Sequence, residues 1–256
     1  MKFTRFVGLD VHTRTSSLCV LDEKGEVLIR RRIDGPWSSM VAFVSSIPRP
    51  MALCYEASCG YGALHDLLRH HADRVVAAHA GALRLIYQSK RKNDRVDAEK
   101  LAKLLYLDAV PAVHIPSPTV RSWRGLIEHR SRLAKKRTRS KNQIKALLRG
   151  LGVSPPCKLW TRAGLEWLSK LELAETADAL RRDMAMEELL EVRKRLDRVE
   201  GELDRLAESR PGVMLLQTIP GVGPRTAEAV LADVDDPRRF PSGRSLGGYF
   251  GLVPCP

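Results

Sequence analysis

The chain has 256 residues, enough for one or two domains with sizeable cores. Its net charge of +13 and its isoelectric point near 9.8 favour a polyanionic partner, most often nucleic acid. The five cysteines include no Cys-x-x-Cys pair, no signal-peptide core opens the chain, and no apolar run approaches the roughly 20 residues of a membrane span. We therefore expect no zinc site, no disulfide framework and no membrane insertion.

The N-terminal part alternates strand-like and helix-like segments. Apolar runs predict five strands, at Phe6–Asp10, Ser17–Leu21, Glu26–Ile29, Met51–Glu56 and Arg74–Ala78, with helices near Ser38–Ser46 and Ala63–His70. The first three strands are hairpin-linked, whereas strands followed by helices imply parallel pairing. The pattern predicts an α/β fold with a mixed sheet and flanking helices.

A strongly basic helix is predicted from about Thr119 to Arg149, after a proline-rich connector at Pro111–Pro118. Glu128 is its only acid between Arg121 and Arg149. A solvated helix face usually mixes both charge signs, so we favour phosphate contact over mere solvation. The predicted nucleic-acid-binding residues of this helix are Arg121, Arg124, Arg132, Lys135, Lys136, Arg137, Arg139, Lys141 and Lys145.

A second connector, Leu151–Pro156, precedes a long charged helix from about Glu172 to Ser209. Its apolar residues alternate steps of four and three, as in a coiled-coil seam: Ala185, Leu189, Val192, Leu196, Val199, Leu203 and Leu206. We expect this helix to mediate self-association, with an amphipathic helix packed on its own domain as the alternative. Gly201 inside the helix weakens the coiled-coil interpretation.

Four acids form the most informative set in the chain. Asp10 and Glu56 end two predicted strands, while Asp94 and Asp97 lie three residues apart on one face of a predicted helix. If the strands are neighbours, the four carboxylates converge on a divalent-metal site for phosphodiester chemistry, holding Mg²⁺ or Mn²⁺. The alternative is that Asp94 and Asp97 pair only with the basic residues around them. His12, two residues past Asp10, is placed to contact a phosphate.

A glycine turn near the C-terminal end offers a second anion site. Ile219-Pro220-Gly221-Val222-Gly223-Pro224-Arg225 opens a helix, and such a turn exposes backbone N–H groups to a phosphate. The run is typical of a helix-hairpin-helix DNA-binding unit, with a plain helix-start turn as the alternative. Gly221, Gly223 and Arg225 are therefore further nucleic-acid-binding candidates.

These motifs resemble one family along nearly the whole chain. Gly8–His12, Glu56–Ser58, Lys92–Ala102 and the run from Leu216 to Pro254 are similar to the DEDD transposases of insertion sequence 110 type. The resemblance implies an RNase H-like, RuvC-like first domain, with Asp10, Glu56, Asp94 and Asp97 as metal ligands and catalytic residues. It also implies a guide (bridge) RNA that selects donor and target DNA, and dimers that pair into tetramers.

The expected organisation has three parts. Residues 1–150 form the DEDD domain ending in the basic helix, 151–208 a helical coiled-coil segment, and 209–256 a small helical, helix-hairpin-helix-like transposase domain. The family's serine nucleophile is expected downstream of the Gly-Leu-Val-Pro run, where this chain ends at Cys255-Pro256. We therefore expect a truncated chain without its nucleophile, and neither Cys255 nor Ser242 and Ser245 takes that role.

The leading hypothesis is a DNA transposase/recombinase of a bacterial or archaeal insertion sequence, acting in the cytoplasm near the nucleoid by metal-assisted phosphodiester transfer. One alternative is a stand-alone RuvC-type nuclease, which uses water as its nucleophile and leaves no protein–DNA adduct. Another is a non-catalytic nucleic-acid-binding remnant. An actin-like kinase or ATPase is disfavoured, because Val11-His12 stand where that fold needs glycine and a hydroxyl residue.

Overall fold

The computed structural model describes residues 2–58, 60–86 and 94–252, with the side chains of all of these except 94–96. The backbone contacts divide the chain into two units, Met1–Pro118 and Thr119–Pro256. The basic helix therefore groups with the second unit. The boundaries expected at residues 150 and 208 remain a prediction.

The first unit contains a five-stranded mixed sheet, which confirms the predicted α/β class. The strands are β1 (Arg5–Val11), β2 (Thr15–Leu21), β3 (Val27–Asp34), β4 (Met51–Glu56) and β5 (Arg74–Ala78), in the order β3-β2-β1-β4-β5. β2 pairs antiparallel with both β1 and β3, whereas β4 pairs parallel with both β1 and β5. The short turns give the antiparallel half, and the crossovers through helices give the parallel half.

Helices cover both faces of this sheet. They are α1 (Trp37–Ser45), α2 (Tyr61–Leu68), α3 (Ala80–Ile86) and α4 (Asp94–Tyr106). Val7 and Leu9 of β1 point into a core shared with α1 and α2, and alternate residues of the strands face the core under α4. The sequence patterns predicted α1 and α2 but not α3.

Helix α4 lies unusually close to β1 because residue 8 is glycine. A Cβ atom at Gly8 would stand 2.1 Å from the carbonyl oxygen of Ala98 and 2.5 Å from the amide nitrogen of Ala102. The ring of Phe6 contacts that of Tyr106, with centroids 5.2 Å apart. Moving along β1 from Phe6 to Gly8 therefore moves toward the N-terminus of α4, so the two elements run antiparallel.

The two edges of the sheet are finished differently. Edge strand β3 is exposed over most of its length and carries Arg30, Arg31 and Arg32 in its middle. At the other edge, the connector after α4 accompanies β5: His79 N–H donates to Pro111 at 2.8 Å, and Val113 N–H donates to Ala77 at 2.8 Å. One edge is thus charged and the other is covered.

The second unit is helical throughout its described residues. Its helices are α5 (Pro118–Gly150), α6 (Arg162–Lys170), α7 (Thr176–Glu208), α8 (Pro211–Gln217), α9 (Pro224–Val234) and α10 (Gly243–Tyr249), with a 3₁₀ turn at Pro237–Arg239. The sequence patterns predicted the two long helices and the start of α9, but not α6. None of the described helices combines the length and the apolarity of a membrane span.

The apolar seam of α7 is buried within its own chain. Leu133 of α5 packs against Val192 and Leu196, while Ile144 of α5 packs with Leu189. At the other end of the pair, Trp123 joins a cluster with Leu203. The two helices therefore form an antiparallel pair. In this conformation α5 covers the apolar face, which is the alternative arrangement named above; self-association through α7 remains a prediction.

Glu228 of α9 is an acid enclosed in the helical unit. Its side chain is fully buried, and its Oε2 lies 3.1 Å from Arg225 Nη1, yet neither Glu228 oxygen has a hydrogen-bond partner among the described residues. Burial raises the pKa of Glu228, Arg225 and Arg130 oppose the rise, and Asp204 and Glu200 add to it. The group thus holds a proton more tightly in the folded chain than in the unfolded one.

Replacing Gly8 with alanine is expected to destabilise the first unit, because the new Cβ atom meets α4 backbone rather than a flexible side chain. Overpacking of this kind costs about 1–3 kcal/mol or more. The change in the free energy of unfolding can be measured by urea denaturation. Gly201→Ala is the matched control: nothing lies within 4 Å of its Cβ position in α7, so it should stabilise the helix by about 0.5–1 kcal/mol. Equal stability of Gly8→Ala and wild type would contradict the close packing.

Glu228→Gln is expected to change how stability depends on pH. A raised acid pKa stabilises the folded state below the ordinary value of 4.5, and this contribution is lost as pH rises through the raised pKa. Glutamine carries no such proton, so the stability of the variant relative to wild type should increase from acid to neutral pH. Urea denaturation at several pH values measures this difference, and a difference that stays constant with pH would rule out the raised pKa.

Candidate functional site

Two of the predicted metal ligands end neighbouring parallel strands. β1 and β4 are in register up to Leu9 opposite Tyr55, so Asp10 and Glu56 are the next residues of each strand. Gly8 and Cys54 face α4, and side chains alternate along a strand, so Asp10 and Glu56 face α4 as well. The two carboxylates therefore share one face and one end of the sheet, as expected.

The N-terminal turn of α4 carries the other two acids above that end of the sheet. Gly8 lies under Ala98 and Ala102, and Asp10 is two residues, or about 6.6 Å, farther along β1. That distance corresponds to about four residues of helix, which places the turn from Asp94 to Asp97 over Asp10. The close contact of Gly8 with α4 therefore places the backbone of the acidic turn over the ends of β1 and β4.

The described side chains do not form a closed metal cage. Among the residues whose side chains are described, no group of three or more His, Cys, Asp or Glu could hold a metal ion. Asp94 is in α4, but its side chain lies outside that described set. Oxygen donors on one sheet face and on the facing helix turn fit magnesium in kind. The four-ligand assignment therefore remains a prediction.

Basic side chains lie near two of the three described acids. His12 Nε2 lies 3.5 Å from Asp10 Oδ2, and the Asp10 side chain is 16% exposed. Asp97 Oδ1 is 3.2 Å from Lys100 Nζ, the local pairing that the alternative interpretation anticipated. Glu56 is exposed. Lys100 thus partly neutralises Asp97, and the three acids are all at least partly exposed to solvent.

Glu99 has a separate, structural role on the same helix. Its carboxylate is 2.8 Å from Lys103 and 2.7 Å from Arg30 of β3. Hydrogen bonds from Lys103 and then Arg30 lower the pKa of Glu99 despite partial burial. The pairing fastens α4 to the edge strand and commits Glu99, which agrees with leaving it out of the ligand set.

The sheet register adds two residues that the sequence patterns did not single out. Asp10 is paired with Ser17, and Ser17 is paired with Arg32, so the three residues form a row across β1, β2 and β3. Arg32 lies two strands from Asp10, about 9–10 Å at ordinary strand spacing. It pairs with Asp34 at 3.2 Å and its side chain is 55% exposed. Ser17 and Arg32 could be found only from the strand register, which the sequence does not reveal.

The predicted phosphate contacts of α5 fall into two groups. In the first, the cation is engaged within the chain: Arg124 donates to the carbonyls of Ala232 (2.7 Å) and Asp233 (3.1 Å), Arg132 pairs with Glu128 (3.3 Å) and Lys136 pairs with Glu188 (3.0 Å). Arg121 also makes a noncovalent contact and therefore belongs to this first group.

The second group consists of Lys135, Arg137, Arg139, Lys141 and Lys145. Within the described part of the chain, none of them forms an ion pair with a carboxylate. The positive charge of these five residues is thus available to an external anion.

The glycine turn has the geometry of a tight helix start. Gly221 has a φ of 86°, in the left-handed region, and Gly223 is the N-cap of α9, followed by Pro224. Arg225 is ion-paired with Asp204 and lies 3.1 Å from Glu228, so its guanidinium is committed to carboxylates of the helical unit. The backbone N–H groups of the turn are therefore better placed than the Arg225 guanidinium to bind an anion.

Ser242, near the C-terminal end of the described residues, is the N-cap of α10. Ser242 Oγ accepts a hydrogen bond from the backbone N–H of Ser245 at the start of α10, and the two hydroxyls are 3.0 Å apart. This engagement agrees with leaving both out as nucleophiles. Cys255 lies outside the described residues.

Comparison with known proteins agrees with the resemblance. A family model described as a transposase, the DEDD type of IS110, matches residues 7–153, and a second, the transposase IS116/IS110/IS902 family, matches residues 213–256. The transposase for insertion sequence element IS1111A of Coxiella burnetii is 27% identical over 99% of this chain and 70% of its own length. The transposase for insertion sequence element IS1328 of Yersinia enterocolitica is 25% identical over 97% of this chain and 73% of its own length.

The chain spans 63–73% of the length of the curated relatives that it matches from end to end. The first family model covers more than half of the chain and includes Asp10, Glu56, Asp94 and Asp97, and the second includes the glycine turn. The chain therefore belongs to the DEDD transposases of IS110 type, enzymes of DNA recombination.

Proposed function

We propose that the first unit is an RNase H-like, RuvC-like catalytic domain in which Asp10, Glu56, Asp94 and Asp97 hold Mg²⁺ or Mn²⁺ for DNA phosphodiester transfer. One observation carries the proposal: Asp10 and Glu56 end adjacent parallel strands on the face that α4 covers. The strand order, with an antiparallel hairpin half and a parallel half, supports the fold assignment. The family match supports the reaction class.

The residues of the chain would perform distinct tasks in this site. Bound magnesium would neutralise the negative charge that develops on the transferring phosphate. Asp10 and Glu56 supply charge from a rigid sheet, and Asp97 supplies it from a helix fixed by close packing. His12 lies 3.5 Å from Asp10 and can orient that carboxylate or contact a phosphate oxygen. Lys100 compensates the charge of Asp97 when no metal is bound.

The remaining parts of the chain are proposed to handle nucleic acid. The cations of α5 that lack intrachain carboxylates would contact donor and target DNA, together with a guide RNA of the element. α8, the glycine turn and α9 would act as a helix-hairpin-helix unit whose turn N–H groups meet a phosphate. The pairing of α5 with α7 is an intrachain coiled coil in this proposal. Homodimers and tetramers would therefore assemble through other surfaces.

The attacking group is proposed to be a serine hydroxyl of the family's C-terminal domain. Ser242 caps α10 and its hydroxyl lies 3.0 Å from that of Ser245, and neither of these two serines is assigned that role. The proposed site of action is the bacterial cytoplasm, where chromosomal DNA is accessible.

Asp10→Asn is expected to abolish metal-dependent strand transfer while leaving the fold intact, because it removes one charge and little volume. The rate of cleavage or joining of element-end DNA by the product of the whole gene should fall at least about a hundredfold, as it does when preorganised electrostatic stabilisation is removed. Asp108→Asn is the matched control, since Asp108 pairs with Arg74 at the opposite end of the sheet. Unchanged activity in Asp10→Asn would contradict the assignment of Asp10 to the metal site. Free 5′-phosphate ends without a protein–DNA adduct would favour a RuvC-type nuclease.

Metal binding provides a readout that does not depend on activity. A ligand that binds only the folded state raises the melting temperature, so Mn²⁺ should stabilise wild type and Asp108→Asn. Asp10→Asn, Glu56→Gln and Asp97→Asn should each lose most of that shift. Titrations of the melting temperature with Mn²⁺ and with Ca²⁺ measure it, and equal shifts in all variants would place the metal elsewhere.

A further inference from the structure

A group of cations lies along one side of the α5–α7 pair. We call it the cationic groove: Arg137, Lys141 and Lys145 of α5, and Arg193 of α7. The three α5 residues are four apart, so they share one helix face. The alignment of the helices places Arg193 opposite them, because its neighbour Val192 packs on Leu133 while Leu189 packs near Ile144.

Trp160, in the segment before α6, holds two of these cations in place. Lys141 Nζ lies 5.1 Å from the centroid of its ring, and Lys145 Nζ lies 5.9 Å from it. An ammonium group over an indole face is attracted to the ring, but the ring brings no negative charge. Trp160 therefore orders the two lysines without neutralising them.

Elsewhere along the same helix pair, cations are matched by acids. Arg130 of α5 is 2.6 Å from Glu200, and Lys136 is 3.0 Å from Glu188. Arg137 is seven residues, one heptad, after Arg130 and faces α7 in the same way. Yet Arg137 and Arg193 form no ion pair anywhere in the described part of the chain. The groove is thus a local excess of positive charge across two helices.

The excess positive charge changes the properties of the groove residues themselves. The pKa of Lys141 is lowered, first by burial and then by repulsion from Arg137, Arg193 and Lys145. Like charges that face each other across a helix pair raise the energy of the fold. A polyanion would remove that repulsion, because each phosphate neutralises a cation and releases counterions.

We propose that the cationic groove binds the phosphate backbone of duplex DNA, and that Arg193 on α7 is a DNA contact. The inference rests on the proposed DNA-handling function and extends it from α5 to a second helix. Basic residues of this kind contact phosphates without reading sequence. DNA is favoured over other polyanions because the relatives are transposases.

The test compares Arg193→Gln with Arg195→Gln, a control two residues away. Arg195 is paired with Glu191 at 2.7 Å and is 59% exposed, so its charge is already compensated. Fluorescence anisotropy would measure binding of the 256-residue chain to a duplex DNA of fixed length, in EDTA and over a range of salt concentrations. For Arg193→Gln, the slope of log affinity against log salt should become about one unit shallower. Its affinity deficit should then grow roughly threefold to fourfold between 200 mM and 50 mM salt.

Thermal melting without DNA gives a second readout. Arg193→Gln should melt at a higher temperature than Arg195→Gln, because the first relieves repulsion and the second breaks an ion pair. Equal DNA affinity and equal salt slope in the two variants would overturn the proposal. Loss of affinity for an RNA duplex of the same length, with DNA binding unchanged, would overturn it as well. Because EDTA removes metal, failure of the catalytic proposal would not alter these results.

Discussion

The contact between α4 and β1 at Gly8 is the constraint on which the first unit depends. It lets the helix backbone lie directly on the strand, with no side chain between them. The consequences run in both directions along the helix. Toward its C-terminus, Tyr106 meets Phe6 and the core beneath α4 closes. Toward its N-terminus, the acidic turn is brought over the strand ends, so the same contact that packs the core also sets the spacing of the acids.

The second unit depends on a different principle, the pairing of two long helices whose apolar residues follow the same heptad spacing. Cations and acids are matched at Arg130–Glu200 and at Lys136–Glu188, whereas the positions around Lys141 have only positive neighbours. The charge balance of the pair therefore changes along its length.

Much of the first unit could be predicted from the sequence, because its strands are short apolar runs and its acids stand where those runs end. For that reason, the sequence correctly predicted that Asp10 and Glu56 lie at the same end of the sheet. The short helix α6 was missed. Thr161 is its N-cap and accepts a hydrogen bond from Gly164 N–H at 3.2 Å, but a local cap of this kind is a weak signal in the sequence alone. The row from Asp10 to Arg32 needs strand register, which no local pattern encodes.

The helix that packs on α7 within the chain could not be identified from the sequence, for a physical reason. Heptad spacing indicates that a helix has an apolar seam, but it does not indicate whether the seam packs on a second copy or on the same chain. Positions 130 and 137 on the facing side of α5 are arginines, so its matching seam is interrupted in the sequence. The engagement of Arg124 and Arg225 was hidden for a similar reason, since their partners come from other helices.

The edges of the sheet determine how far it can grow. A strand from another molecule could extend β3 only by crowding Arg30, Arg31 and Arg32. At the other edge, Ala77 of β5 already accepts a backbone hydrogen bond from the connector that follows α4, and His79 just after β5 donates one to it. Exposed edges of mixed sheets are common starting points for strand-to-strand aggregation. Here one edge resists it by charge and the other by occupancy. The two edges therefore disfavour extension of the sheet by a strand from another molecule.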